Sequence, residues 1–250
     1  MLKVVWIFSF YFTILTSCKQ VPQTIGLILP NSESIIADTF GLNYIMGKFE
    51  PSKHPDFVVI PSKYRDETVR YLRRDVMIKF AEMADAAAEE SVRLVIRSAT
   101  RNFDSQKQIW ENKWKGHTIL EDGSKASDIK DELLRAKKIL LYSSMPGTSR
   151  HHWGTDVDIN AFENSWFVSG EGAKLYAWME SNASKYGFYQ VYGPINSRRK
   201  QGYEEEKWHW SYLPIAQQIQ EEVAKSMKNE MVAGFEGSQK ARVIDMVKNY

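Results

Sequence analysis

The chain has 250 residues and a formal net charge of +2, from 33 lysines and arginines against 31 aspartates and glutamates. Hydrophobic residues make up 43% and charged residues 26%, which excludes a disordered chain and suits one globular domain with a sizeable core. So balanced a charge gives no electrostatic reason to expect nucleic-acid binding.

The first 17 residues have the pattern of an export signal, in which Lys3 precedes an apolar run over residues 4–16. The run is shorter than the roughly 20 residues that a membrane span needs. It ends at Leu-Thr-Ser-Cys, which resembles the lipobox of bacterial lipoproteins, and Cys18 is the one cysteine in the chain. We therefore expect a lipoprotein signal peptide over 1–17, a lipid on Cys18 and a location in the cell envelope. The alternative is a plain membrane anchor.

Residues 18–40 mix Pro, Gly, Ser and Asn with short apolar runs, which predicts a tether leading into a domain over 41–250. Over 66–90, apolar residues recur at three- and four-residue steps and predict an amphipathic helix. Branched residues favour a strand over 91–98. The elements predicted after it are helices over 104–114 and 125–142, a strand over 156–161, a helix over 172–186 that stops at Gly187, a strand over 207–212 and a helical tail from residue 214.

The order of these elements decides the fold class. Helices and strands are mixed without a regular βαβ repeat, so we expect an α+β domain with a small antiparallel sheet and flanking helices.

Two of the five histidines lie in informative surroundings. A catalytic zinc needs three protein ligands from histidine and carboxylate groups, with an open position for water, and a nearby carboxylate to move the proton. His151, Asp158 and His209 supply the ligand types, and Glu206 is a candidate base. A packed histidine, a turn aspartate and a solvated acidic face remain open alternatives, because the chain has no His-Glu-x-x-His helix.

Convergence of these groups depends on two turns. His151 and Asp158 are an odd number of residues apart, so one straight strand would point them to opposite faces. Gly154 lies between them and could let the chain turn. Glu206 would stand beside His209 only if the chain leaves strand geometry just before that histidine.

The two segments together carry a resemblance. Residues 149–158 read Ser-x-His-x-x-Gly-x-x-x-Asp, and residues 206–209 read Glu-x-Trp-His. This pattern resembles the VanY-like D-alanyl-D-alanine carboxypeptidases, zinc peptidases grouped with D-Ala-D-Ala dipeptidases, lysostaphin, some phage endolysins and the hedgehog domain. The resemblance implies that the small sheet carries one zinc per chain. It also implies that Glu206 is the catalytic base and that the zinc ligands are His151, Asp158 and His209.

A third segment supports the resemblance, which covers roughly residues 47–215. Residues 98–106, Ser-Ala-Thr-Arg-Asn-Phe-Asp-Ser-Gln, are similar to the family's Ser-Gly-Tyr-Arg-Ser segment with a glutamine five residues after the arginine. The similarity implies that Arg101 holds substrate and polarises the attacked carbonyl, which suits a guanidinium. It also implies that Ser149 and Gln106 bind the substrate.

The chain departs from the family pattern at two positions near these motifs. Asp156 stands where the family often has alanine, and Thr100 where tyrosine is more usual. A second carboxylate so close to Asp158 could orient a histidine or compete for the metal.

The function that the resemblance implies is a zinc D-alanyl-D-alanine carboxypeptidase. Its partners would be peptidoglycan stem peptides ending in D-Ala-D-Ala, together with the membrane through the lipid. The alternatives are a D,D-dipeptidase or a cross-link endopeptidase on the same site, or a non-catalytic wall-binding lipoprotein.

Overall fold

The computed structural model describes residues 40–196 and 199–250. The expected signal peptide, Cys18 and all but the last residue of the expected tether lie outside these residues. Phe40–Tyr250 form one compact unit. Within the described ranges, no helix is both long enough and apolar enough to cross a membrane.

Short strands alternate with helices along the described chain. The strands are β1 Phe57–Val59, β2 Tyr71–Arg73, β3 Ile96–Ser98, β4 Asp156–Ile159, β5 Phe188–Gln190 and β6 His209–Tyr212. The α-helices are α1 Leu42–Ile45, α2 Arg74–Glu89, α3 Phe103–Trp114, α4 Glu132–Ile139, α5 Gly170–Asn182, α6 Leu213–Ser226, α7 Lys240–Ile244 and α8 Met246–Asn249. This arrangement is the α+β fold that the sequence predicts.

Four of the strands form an antiparallel sheet in the order β3-β4-β6-β5, and β1 pairs with β2 separately. Strand pairing sets Ser98 opposite Asp158 and Asp158 opposite His209. Asp156 pairs with Ser211 two residues away along the same two strands. Since alternate residues of a strand share a face, these polar side chains stand on one face of the sheet.

The opposite face of the sheet is apolar. Val157 and Ile159 pack there against α2 and α5 in a buried cluster that also holds Phe80 and Phe188. The rings of Phe80 and Phe188 meet edge to face at 6.0 Å. Burying each such side chain contributes roughly 1.5–3 kcal/mol. A second apolar cluster lies among α3, α4 and the helices after β6, so the polar face of the sheet is enclosed between helices and loops.

Element boundaries differ from several predictions. The helix predicted from residue 66 begins at Arg74, because residues 71–73 form β2 instead. The strand predicted over 91–98 is confined to Ile96–Ser98. Asp131 caps α4 by accepting hydrogen bonds from the backbone N–H groups of residues 133 and 134, so the helix predicted from residue 125 starts seven residues later. The helix predicted over 172–186 ends earlier, at Asn182, and a 3₁₀ turn over Ala183–Tyr186 then stops at Gly187, whose φ of 85° is left-handed.

Gly154 gives a direct test of how the chain turns into β4. Its φ is +71°, and a Cβ there would lie 2.4 Å from Cε1 of Phe57 and 3.0 Å from Cγ of Arg73. We expect Gly154→Ala to destabilise the fold by about 3 kcal/mol, from backbone strain and overpacking together. Gly123 is the matched control, because its φ is +83° and no atom lies within 4 Å of a Cβ there. Gly123→Ala should cost only about 1 kcal/mol. Thermal unfolding measures both, and equal shifts would contradict the steric argument.

Candidate metal centre

A short turn brings His151 and Asp158 together despite their odd spacing. The Ser149 side chain accepts a hydrogen bond from the backbone N–H of His151 and caps a 3₁₀ helix over Arg150–Trp153. Gly154 then takes a left-handed conformation, and β4 starts two residues later. The predicted turn at Gly154 is therefore confirmed.

His151, Asp158 and His209 form a buried cluster in which one ligand atom of each lies within 4.8 Å of the others. His151 Nε2 is 3.2 Å from Asp158 Oδ2, and His209 Nδ1 is 3.1 Å from Asp158 Oδ1. The two imidazole rings are 4.8 Å apart and nearly perpendicular. The cluster has two imidazoles and one carboxylate, a donor set that zinc accepts.

In each of the two histidines, the ring nitrogen that faces away from the cluster donates a hydrogen bond, and this bond fixes the tautomer. His151 Nδ1 donates to the carbonyl of Ala99 at 2.8 Å. His209 Nε2 donates to Asp156 Oδ2 at 2.8 Å. In its neutral form, each ring therefore turns an unprotonated nitrogen inward, toward the Asp158 carboxylate. Among the described residues, Asp158 Oδ1 has no hydrogen-bond donor. Three acceptors that face one another without a donor are the arrangement that a cation satisfies, so these residues fit a metal.

Asp156 is fully buried and is held on all sides. It accepts from Arg150 Nε at 2.9 Å, and from the hydroxyls of Thr155 and Ser211 at 2.7 Å each. Arg150 Nη2 also donates to the Ser211 hydroxyl at 2.7 Å. With the bond from His209, all the ordinary acceptor positions of the carboxylate are used. Asp156 therefore orients His209 and does not point at the cluster.

Burial and charge act against each other in this site. Burial favours a raised pKa for the Asp156 carboxyl, but Arg150 and the hydrogen bond from His209 hold that pKa well below its usual range. Burial lowers the pKa of His151, and the nearby Arg101 charge adds to the effect, so His151 is neutral. Burial lowers the pKa of His209, but the carboxylates of Asp156, Asp158 and Glu206 around the ring raise that pKa well above its ordinary value. The surrounding carboxylates therefore stabilise a positive charge at His209.

Glu206 lies beside the cluster, where the chain turns into β6. Its Oε2 is 3.3 Å from His209 Nδ1, and its carbonyl accepts from the backbone N–H of His209. The strand predicted from residue 207 begins only at His209, so the chain leaves strand geometry as this position requires. Burial raises the pKa of the Glu206 carboxyl, and the neighbouring His209 ring opposes that rise. A carboxyl with a raised pKa can both take and return a proton.

The backbone of Arg101 is fixed by hydrogen bonds at both its N–H and its carbonyl. Its backbone N–H donates to the carbonyl of His151, and its carbonyl accepts from His152 Nδ1 at 2.7 Å. His152 Nε2 in turn accepts from the backbone N–H of Gly147 at 3.0 Å, and burial lowers the His152 pKa to about 3. The Arg101 guanidinium donates to the Ser98 hydroxyl through Nη1 and keeps Nε without an acceptor among the described residues. His152 is therefore a neutral bridge that positions Arg101.

The cluster opens into a cleft of about 200 Å³, and Arg101, Gln106, Ser149 and Glu206 all line it. Gln106 Nε2 donates to the carbonyl of Ser144 at 2.9 Å, while its Oε1 has no donor among the described residues. A buried amide oxygen in this state is available to an N–H of a ligand.

Sequence reasoning missed several groups at this site. Tyr192 and Tyr203 line the cleft, and the Tyr192 ring lies 4.6 Å from the ring of His209. Arg150 carries no sign in the sequence of being the buried partner of Asp156. The Ala99 carbonyl that fixes His151 is a backbone group, so no side-chain pattern could have indicated it. The acidic residue at position 156 was the one visible signal.

An α+β domain with two buried histidines, one aspartate between them and a second carboxylate alongside has the donor set of a metal site next to a candidate acid–base group. Residues 69–215, more than half of the chain, match the VanY family, described as D-alanyl-D-alanine carboxypeptidase. The chain therefore belongs to the VanY family, as the motif resemblance indicates, and the match spans every site residue named above.

Individual relatives agree with this assignment. The chain is 32% identical over 193 residues to YodJ of Bacillus subtilis (strain 168), covering 74% of this chain and 62% of that protein. It is 28% identical over 166 residues to a D-alanyl-D-alanine carboxypeptidase of Enterococcus faecalis (strain ATCC 700802 / V583), covering 62% and 55%. The chain thus spans less than two thirds of these relatives. Among solved structures, the LdcB LD-carboxypeptidase aligns with a TM-score of 0.51 and 26% identity, covering 70% of this chain and 76% of that one.

The role of Asp156 can be tested through zinc affinity. Asp156→Asn keeps the size of the side chain but removes the charge that orients His209, and we expect zinc to bind about 10–100-fold more weakly. Competition with a chromophoric chelator measures the affinity. Asp66→Asn is the control, since Asp66 also pairs with arginines but does not line the cleft. Unchanged affinity in folded Asp156→Asn would show that the carboxylate does not serve the metal.

Proposed function

We propose that the protein is a zinc-dependent D-alanyl-D-alanine carboxypeptidase that trims the stem peptides of peptidoglycan. The observation that carries the proposal is the set of three inward-facing acceptors on His151, Asp158 and His209, with Glu206 against the same histidine. Membership in the VanY family supports the reaction type. The proposed metal ligands are those three residues, and the proposed base is Glu206.

Zinc bound there would supply a nucleophilic water at neutral pH and polarise the carbonyl that is attacked. Glu206 takes the proton of the attacking water on its carboxylate and returns it to the nitrogen of the leaving D-alanine. Arg101 is aimed by Ser98 and His152, and its free N–H groups stabilise the negative charge that develops on the carbonyl oxygen. The buried position of Glu206 keeps the transferred proton away from bulk water.

Substrate binding in this proposal uses the remaining polar groups of the cleft. Ser149 is 1% exposed, and its hydroxyl hydrogen is free to donate to the terminal carboxylate of the peptide. Gln106 Oε1 accepts from a backbone N–H of the stem. Together they orient the last peptide bond over the cluster, which supplies the positional part of catalysis.

The proposed place of action is the cell envelope. Stem peptides of the wall lie outside the cytoplasm, so the enzyme must be exported, and the expected signal peptide and lipid on Cys18 would provide the export and the anchor. Globomycin-sensitive processing and labelling with radioactive palmitate would establish the anchor directly.

Product analysis tests the reaction. The zinc-loaded full chain is incubated with pentapeptide muropeptides, with and without a chelator, and the products are separated by liquid chromatography and mass spectrometry. We expect release of single D-alanine that the chelator abolishes and added zinc restores, because the cluster needs its metal. Release of intact D-Ala-D-Ala would identify a dipeptidase, and shortening of cross-linked dimers alone would identify an endopeptidase.

A second candidate is an LD-carboxypeptidase, which the similarity to the LdcB structure favours. The same assay separates the two activities when tetrapeptide muropeptides are added as a second substrate. Release of D-alanine from the pentapeptide but not from the tetrapeptide supports the D,D reaction. The reverse result supports the LD reaction on the same site.

Glu206→Gln tests the proposed base. Glutamine keeps the shape of the side chain but cannot accept the proton of water, so kcat should fall by about 100-fold or more. Zinc content, measured by atomic absorption, should equal that of the parent, because Glu206 is not one of the three ligands. Glu204→Gln is the matched control two residues away and should retain activity. Parent-like turnover by Glu206→Gln would exclude this residue as the base.

A further inference from the structure

An ion pair outside the metal cluster lines the same cleft. Lys113 Nζ lies 2.5 Å from Glu121 Oε1, and both residues face the cavity that holds the cluster. The Lys113 side chain is 9% exposed, whereas the Glu121 side chain is 36% exposed. The proposed hydrolysis uses neither group. The hydrolysis therefore does not explain why a charged pair lies on the wall of the cleft. Polar groups placed in such a pocket commonly orient a ligand.

The pair keeps capacity for a ligand. A lysine ammonium has three N–H donors, and within the described residues Glu121 is the one polar partner of Lys113. Glu121 Oε2 accepts no hydrogen bond from that lysine. The Lys113 ammonium therefore keeps N–H donors, and the Glu121 carboxylate keeps an oxygen, that the ion pair itself does not use.

The position along the cleft can be read from α3. Gln106, Ile109 and Lys113 line the cavity from this helix, one turn after another. At 1.5 Å per residue, Lys113 lies about 10 Å along the helix axis from Gln106. An extended peptide advances at most about 3.6 Å per residue, so one residue and a long side chain cover that distance. The pair is thus within reach of the side chain of the residue before the dipeptide that is cut.

Aromatic rings form another part of the cleft wall. Tyr142 and Trp208 stack at 6.5 Å with 28° between their planes, and both line the cavity. Phe162 also lines it and is 46% exposed. Such a wall suits the methylene stem of a long side chain whose tip is charged.

We propose that Lys113 and Glu121 form a specificity subsite for a stem-peptide side chain that ends in both an ammonium and a carboxylate, the terminus of a diaminodicarboxylic acid. The substrate ammonium pairs with Glu121 while the substrate carboxylate pairs with Lys113, so four charges alternate in sign. A lysine side chain carries the ammonium alone and satisfies half of the subsite. The proposal rests on the proposed function for the identity of the substrate as a stem peptide.

Binding is measured in place of turnover, in the zinc-loaded full chain carrying Glu206→Gln, so that the peptides stay intact. Isothermal titration calorimetry compares two stem pentapeptides that differ only in the third residue, meso-diaminopimelate or lysine. We expect the diaminopimelate peptide to bind about tenfold more tightly, because a hydrogen bond between charged groups adds about 1.5 kcal/mol or more. Adding Lys113→Met, which keeps the length of the buried stem, should remove this preference and leave the lysine peptide within about threefold.

Lys107→Met is the matched control. Lys107 pairs with Glu111 on the same helix but does not line the cleft, so the preference should remain. Equal affinity of the two peptides for the Glu206→Gln protein would overturn the subsite. So would an equal loss for both peptides in Lys113→Met, which is the result expected if the pair only ties α3 to the following loop. If the parent protein shows no turnover but the Glu206→Gln protein still prefers the diaminopimelate peptide, the carboxypeptidase activity is overturned and the subsite is retained.

Discussion

The buried carboxylate of Asp156 is the constraint on which the rest of the site depends. A carboxylate without solvent is costly unless its charge and its acceptors are satisfied. Arg150, Thr155, Ser211 and His209 all donate to it. The contacts join the turn before β4, both central strands and, through Arg150 Nη1, Gln220 on α6. Since His209 is one of the donors, the orientation of the candidate ligand follows from the packing of the fold.

Because side chains alternate along each strand, the residues of the site and the residues of the core lie on opposite faces of the sheet. On β4, Asp156 and Asp158 face the site, while Val157 and Ile159 enter the apolar cluster under α2 and α5. Polar groups can collect on one face because hydrophobic contacts on the other face hold the strands. Arg101 and His152 extend this rigid arrangement beyond the sheet, since the backbone N–H of Arg101 donates to the carbonyl of His151 and the His152 ring donates to the carbonyl of Arg101.

The sequence was sufficient to predict those features for which the chemistry requires particular residue types at fixed spacing within a short motif. The meeting of His151, Asp158 and His209 was predicted from motifs, and the turn at Gly154 from the need to reverse the side-chain direction. The three-residue strands β1 and β2 were missed, because so few residues show no periodicity. The partners of the outward histidine nitrogens were also beyond prediction. One is a backbone carbonyl at Ala99, and the other depends on tertiary packing of a charged pair that would ordinarily be exposed.

The pleat of β4 also explains the fixed distance between the histidine and the aspartate in the motif. Inserting or deleting one residue between Gly154 and Asp158 would rotate the whole strand by half a turn. Both carboxylates would then enter the layer beside Phe80, and two branched side chains would replace them next to His209. The spacing is therefore a property of strand geometry as much as of metal chemistry. The packing of the core therefore excludes insertions and deletions in this buried segment, whereas surface loops commonly tolerate them.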